Sequence, residues 1–356
     1  FVNMGLASFS YKAEIYSWNM WAVQHYLGEP IDFYYTKSPY PQMYPSFLAY
    51  CYKILGSIEL QMPVRCLIVI FPLSMLVMIA TASKIINRQK SVLTLIVLLL
   101  LIFGTGIYHE FQDGLADPMM ASSLIISVAL FIYYRAENNI SLLWLALICG
   151  LASAYTKQPA LIWSCFAFPL VVILKIIRDR FFKTAPLQNP FQMISIAIFS
   201  LAGSLYWMFT QGRNFHENRG VIHRSLEGRG FFEQILLSCY EYFIKNPIIL
   251  LFILGAFIAV HKSRRNRDIF WLLLIPSLLA WFIWGAYDIR LGMHVISLAA
   301  LLIISADFYG IPLLSENSIL LKTPINLIAT HWKKAGALFV SLCIFCAGMY
   351  GYQAKT

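Results

Sequence analysis

The sequence predicts an all-α polytopic membrane protein, from its composition, its apolar runs and the way its charges sort between loops. Of 356 residues, 59% are hydrophobic and only 12% charged, with mean hydropathy +0.67. That is far more apolar than a soluble domain needs. Runs approaching the roughly 17–22 residues that cross a hydrocarbon core of about 30 Å lie near 64–82, 91–108, 118–134, 141–156, 159–177, 191–210, 247–260, 269–284, 291–309 and 335–352. About ten transmembrane helices are therefore expected, in a single domain over 1–356. Those at 141–156, 247–260 and 269–284 are short, and are expected to tilt or to extend into their flanks. The opening "FVNMGLASF" reads as the tail of an apolar segment, so one further span upstream is expected.

Orientation follows from the basic residues, since cytoplasmic loops retain Lys and Arg. One alternate set of loops contains "SKIINRQK", "KIIRDRFFK" and "HKSRRNRD". With 135–140, 310–334 and Asp307 at the end of the run before it, it carries 15 Lys and Arg against 5 Asp and Glu; the other set carries 12 against 12. The whole formal charge of +10 (15 − 5 against 12 − 12) then belongs to one face, which should be cytoplasmic. A nucleic-acid partner is not needed to explain it. The seven cysteines fall mostly in apolar runs, and even Cys343 and Cys346, three apart, read as small buried residues, so neither a disulfide framework nor a zinc site is implied.

Residues 1–63, 109–117, 156–158, 211–246 and 285–290 are then external, facing periplasm, cell exterior or an organelle lumen. The first is too polar to span and too aromatic for a disordered tail. Its "MWAVQHYLG" and "YPSFLAYCYKILG" have helical periodicity, predicting short helices at the membrane surface. In 211–246, Arg213 belongs to a run of Arg and His residues that departs from the positive-inside trend, and "FFEQILLSCYEYFI" reads as a second interfacial helix. A basic cluster on that side suits an anionic partner such as a lipid phosphate, or the acidic loops of the same chain, or is simply a solvated loop.

The external loops collect the chain's ionisable residues. Glu14, Asp32 and Lys37 lie in the first, with Tyr40 among several tyrosines; His109, Glu110, Asp113 and Asp117 in "IYHEFQDGLADPMMASS"; then Lys157 with Gln158; finally Asp288, Arg290 and His294. Charges at membrane depth are costly, so they pair or line a cavity. One polar cavity open to the outer leaflet would use them all. Glu14 could take a proton from an acceptor hydroxyl as a general base, or be a surface residue paired with Lys12. Asp113 and Asp117 could form part of a site, or Asp117 could cap the next helix, with Pro118 at its first position. Lys37 and Lys157, beside prolines, suit a phosphate oxygen or a snorkelling role.

The order of "AEIYSWNMWA", "SPYPQMYPSFLA", "DGLADPMMASSLIISVAL" and "GLASAYTKQPALI" over residues 11–165, with "AYDIRLGMHVISLAALLI" later, resembles the GT-C membrane glycosyltransferases. It is most similar to the bacterial branch related to protein O-mannosyltransferases and aminoarabinose lipid A transferases (glycosyltransferase family 39-like). Many members carry Asp-Glu where this chain has Ala13-Glu14, so Glu14 alone is left for the role or the register shifts by one. The resemblance implies Glu14 as catalytic base, Asp113 or Asp117 as second acidic element, and Lys37, Lys157 and Arg290 at the lipid-linked phosphate. It implies transfer of a sugar from a polyprenyl-phosphate donor to a lipid, glycan or protein acceptor outside the cytoplasm, in a bacterial inner membrane. Some members bind a divalent metal near the first two external loops, where His109 and Glu110 could serve as ligands. The competing expectations are a cell-envelope polysaccharide polymerase or ligase, a lipid-linked sugar transporter, and a non-catalytic membrane subunit.

Overall fold

The computed structural model describes residues 14–32, 41–86, 91–107, 116–182, 189–211, 231–263, 266–285 and 289–306. Among these residues the chain is helical throughout, without a strand. In chain order the helices are α1 (residues 14–27), α2 (Met43–Leu55), α3 (61–86), α4 (91–104), α5 (Asp117–Glu137) and α6 (Ile140–Thr156). They continue with α7 (158–182), α8 (Pro190–Gln211), α9 (231–244), α10 (Pro247–Ser263), α11 (267–285) and α12 (289–305).

Local chemistry sets several of these boundaries. Both α1 and α2 end on glycines in the left-handed region, Gly28 at φ 73° and Gly56 at φ 79°, where their N–H groups return to carbonyls of the last turn. Between α5 and α6 the chain reverses over two residues. Asn138 adopts φ 56°, and the Asn139 side chain accepts from the Ser141 N–H, capping α6. So short a turn makes α5 and α6 antiparallel neighbours, and they pack along their length.

α5 is the centre of the bundle, contacting α3, α6 and α12; α10 packs on α12, and α8 on α6 and α7. α5 and α12 are buried on nearly every side, as expected of helices apolar all round. Peripheral helices instead expose large apolar side chains outward, among them Ile148, Phe166, Phe199, Leu251 and Trp271. A belt of that kind belongs in lipid or against another apolar surface.

Nine of the ten apolar runs coincide with described helices; the tenth, 335–352, lies outside the described residues. By length and composition, three helices can cross a membrane: Gln61–Ala82, Asp117–Glu137 and Gln158–Asp179. A fourth is possible if α9 and α10, bent by 97° at the break between them, count as one. Four more apolar helices, Leu93–Gly104, Ile140–Thr156, Pro190–Tyr206 and Ile289–Ser305, are shorter. The bend turns 231–244 away from the direction of the helix that follows it, as a broken span or a re-entrant loop would. Phe232, Leu236 and Ile244 are exposed on α9, while Gln234 and Ser238 are buried, Ser238 Oγ donating to the Phe282 carbonyl.

Polar contacts gather at the two ends of the bundle. At the basic end the Arg135 guanidinium makes a two-pronged contact with Asp268, and Asn266 bonds to Ser305. Lys175 there donates to Asp179 at 2.6 Å. Mid-bundle, Ser127 Oγ donates to the Ala146 carbonyl at 2.5 Å and accepts from Trp163 Nε1 at 2.7 Å. Gly150 makes room for that junction, since a Cβ there would lie 3.1 Å from Ser127 Oγ. Ser127→Ala should cost about 1–3 kcal/mol, because it strands the buried indole N–H. A thermal midpoint in detergent equal to that of the wild type would mean that Trp163 finds another acceptor.

Candidate functional site

Asp117, Lys157 and His294 meet at the other end. Asp117 is the first residue of α5 and Pro118 follows it, but Asp117 does not cap the helix: Ala116 holds that position, with no side-chain cap bond. Its carboxylate is instead engaged by Lys157, whose ammonium donates to Asp117 Oδ1 at 2.5 Å. Lys157 occupies the turn after α6. Its backbone is extended (φ −159°, ψ 145°), its N–H returns to the Ser153 carbonyl, and Pro159 opens the next turn. A carboxylate at a helix N-terminus and an ammonium at a C-terminus both suit the helix dipoles.

The pair is buried, with side-chain exposures of 3% for Asp117 and 9% for Lys157. Such a pair survives desolvation only when its geometry is good and its members stay together. His294, in the first turn of the last described helix, is 2% exposed and lies within electrostatic reach of both charges. Neither ring nitrogen has a hydrogen-bond partner among the described residues. The Leu291 carbonyl one turn back interacts with the ring without hydrogen-bond geometry. Gly292 lets the chain enter this turn against Trp281, whose ring atoms would lie 2.3 Å from a Cβ.

Residues 14–32 and 41–55 fold toward the same place. Trp18 and Trp21 share an apolar cluster with Tyr44, Tyr52, Ala116 and Met119, the last two flanking Asp117. Trp18 is 6% exposed and Trp21 fully buried, so the apolar side of α1 faces protein, while Ile15 stays 40% exposed. Trp21 Nε1 donates to the Asp32 carbonyl at 2.6 Å, and Tyr52 donates to Asn19 at 2.5 Å. Glu14 is the first residue of α1. Its helix is therefore anchored beside the start of α5.

Gln158 is half-buried in the turn after Lys157, and Arg290 half-buried in the turn that leads into His294. Lys37, Tyr40, His109, Glu110, Asp113 and Arg213 lie outside the described residues. Among those described, no three His, Cys, Asp or Glu side chains converge as metal ligands. Sequence reading passed over Arg65, which is only 6% exposed near the N-terminal end of α3 between Val64 and Ile68 of the same apolar cluster. An arginine inside a predicted span was the signal available. It also passed over Ser153 and Ser297, buried serines whose hydroxyls have no partner among the described residues; serines in apolar runs carry no such mark.

Comparison with protein families, with curated proteins and with solved structures found no match to this chain.

Proposed function

We infer that the chain is a polytopic membrane glycosyltransferase of the GT-C kind, with its site on the non-cytoplasmic side of a bacterial inner membrane and about ten spans. The observation that supports this most is the convergence of Asp117, Lys157 and His294, which belong to three separate segments of one predicted face. The resemblance of residues 11–165 supplies the reaction class. A polar cluster at the buried ends of apolar helices suits a substrate whose lipid stays in the bilayer while its head enters the protein.

In the reaction, the acceptor hydroxyl oxygen bonds to the anomeric carbon as the carbon–oxygen bond to phosphate breaks, with inversion. The hydroxyl proton passes to the Glu14 carboxylate, and polyprenyl phosphate departs with the bonding electrons. Cations that stabilise the phosphate supply much of the rate; Arg290, Lys37 and Arg213 are assigned that work. Lys157 is already held by Asp117, so its role is to fix the carboxylate and the two helix ends. His109 and Glu110 lie outside the described residues, and no step is routed through a metal.

Glu14→Gln should abolish transfer while the protein stays folded. Native mass spectrometry of the wild type and of this variant should find a bound polyprenyl-phosphate sugar, enriched in the variant. Unchanged turnover would remove Glu14 as base. Failure to retain or take up any polyprenyl phosphate would overturn the transferase reading in favour of a transporter or a non-catalytic subunit.

A further inference from the structure

We propose that His294, Ser297 and Ser153 form a subsite for the hydroxyl groups of a sugar, distinct from the place where the lipid phosphate binds. The inference rests on the glycosyl-transfer reading and names what this part of its site recognises.

Hydrogen bonding carries the argument. His294 is 2% exposed, and apart from the approach of the Leu291 backbone its ring nitrogens have no partner among the described residues. Ser153 and Ser297 are fully buried, and their hydroxyls are equally unpaired there. Other serines in this chain close onto the carbonyl one turn back: Ser238 onto Gln234 at 2.7 Å, Ser195 onto Phe191 at 3.0 Å, Ser164 onto Ala160 at 3.4 Å. Ser153 and Ser297, like Ser122 and Ser277, do not, and among the described residues their hydroxyls have no partner; what sets the first two apart is their place beside Lys157 and His294. Their spacing places them together with the site. Ser297 follows His294 by three residues on α12, and Ser153 precedes Lys157 by four on α6. Ser297 therefore sits one turn along the same face of α12 as His294, and Ser153 lies beside Lys157 because its carbonyl accepts the Lys157 N–H at 3.0 Å.

Charge then selects the ligand. Among the described residues, the full charges that act on His294 are Asp117 and Lys157, and they are bonded to each other. One carboxylate and one ammonium cancel, so this pair offers no surplus positive charge to a phosphate, which is left to Arg290 in the preceding turn. An anion would have to take Lys157 away from Asp117. A sugar hydroxyl needs no such exchange, because it donates and accepts at once. Serine hydroxyls have the same double capacity, and an imidazole with one protonated nitrogen offers one donor and one acceptor. Buried groups left unpaired are costly, which gives a site of this kind its power to reject a ligand lacking the matching hydroxyl.

The test uses the full chain in lipid nanodiscs, with farnesyl phosphate and a panel of farnesyl-phosphate-linked hexoses, pentoses and N-acetylhexosamines as probes. In the wild type at least one sugar-linked probe should bind about tenfold more tightly than farnesyl phosphate. His294→Leu should abolish that preference and leave farnesyl phosphate affinity within about twofold, while His294→Asn recovers part of it. Ser297→Ala deletes only an unpaired hydroxyl, so it should fold normally and still reduce the preference about threefold. Equal losses for both kinds of probe in His294→Leu would overturn the subsite. So would a preference left intact in all three variants, or farnesyl phosphate binding with no preference for any sugar. If the wild type binds neither kind of probe, the transferase reading itself fails, and the subsite with it.

Discussion

Lys157→Met is expected to destabilise the protein by about 3–5 kcal/mol, because it leaves the Asp117 carboxylate buried without its counter-ion. Asp117 is almost fully enclosed at the start of the central helix, so water cannot replace the ammonium without opening the junction of α5 and α6. The informative comparison is the double variant Asp117→Leu/Lys157→Met. With both charges gone the desolvation penalty goes as well, and much of the lost stability should return, as for buried pairs replaced by apolar residues. Thermal midpoints in detergent for the two single variants and the double variant complete the cycle. If each single variant stays within about 1 kcal/mol of wild type, the pair behaves as an exposed one and the enclosed site described above is wrong. Raising the salt concentration should change the result little, since a buried pair is poorly screened.

Gly292→Ala should be the most damaging single-methyl substitution in the described chain. A Cβ at Gly292 would lie 2.3–2.5 Å from atoms of the Trp281 ring, well inside contact distance. That indole is 3% exposed and boxed in by Tyr242 at 4.5 Å and Phe282 at 5.3 Å between ring centroids, so it has nowhere to turn. Overpacking of this kind costs about 1–3 kcal/mol. Here it also displaces the turn that sets His294, so binding of a sugar-linked lipid should fall further than stability does. Gly104→Ala is the matched control. Its nearest neighbour would be the terminal methyl of Ile248 at 2.9 Å, the flexible end of a side chain that can move aside. Equal midpoints for the two variants would show that Trp281 relocates freely.

Much of the architecture was legible in the sequence because it depends on local quantities. Apolar run length marked α3, α5 and α7 as helices able to span a membrane, and the Asn138–Asn139 turn and Gly28 and Gly56 sit where left-handed residues stop helices. The short runs at 141–156 and 247–260 did become short helices, and the second of these meets α9 at a sharp bend. Run length did not establish how many helices cross, because helices of 10–17 residues reach a full span only by tilting or by joining a neighbour.

The site was legible as an inventory but not as a set of pairings. Spacing placed Asp117, Lys157 and His294 on one predicted face, and composition alone made a polar cavity there reasonable. Lys157 read as a phosphate ligand or a snorkelling cation and Asp117 as a site carboxylate or a helix cap; the structure binds each to the other. Nothing local encodes that choice. It arises because α5 and α6 pack antiparallel in the register that brings the start of one beside the end of the other, where two charges leaving water together are more stable paired than apart. That His294, Ser153 and Ser297 are buried without a close hydrogen-bond partner among the described residues is likewise a property of the assembled bundle. Whether a buried polar group has a partner is decided by neighbours far away in the chain. By itself the sequence determined which segments are helical and apolar, since that follows from residue type and period. Only the tertiary structure decided which of its polar residues bond to one another and which remain open to a ligand, because packing register assigns the partners.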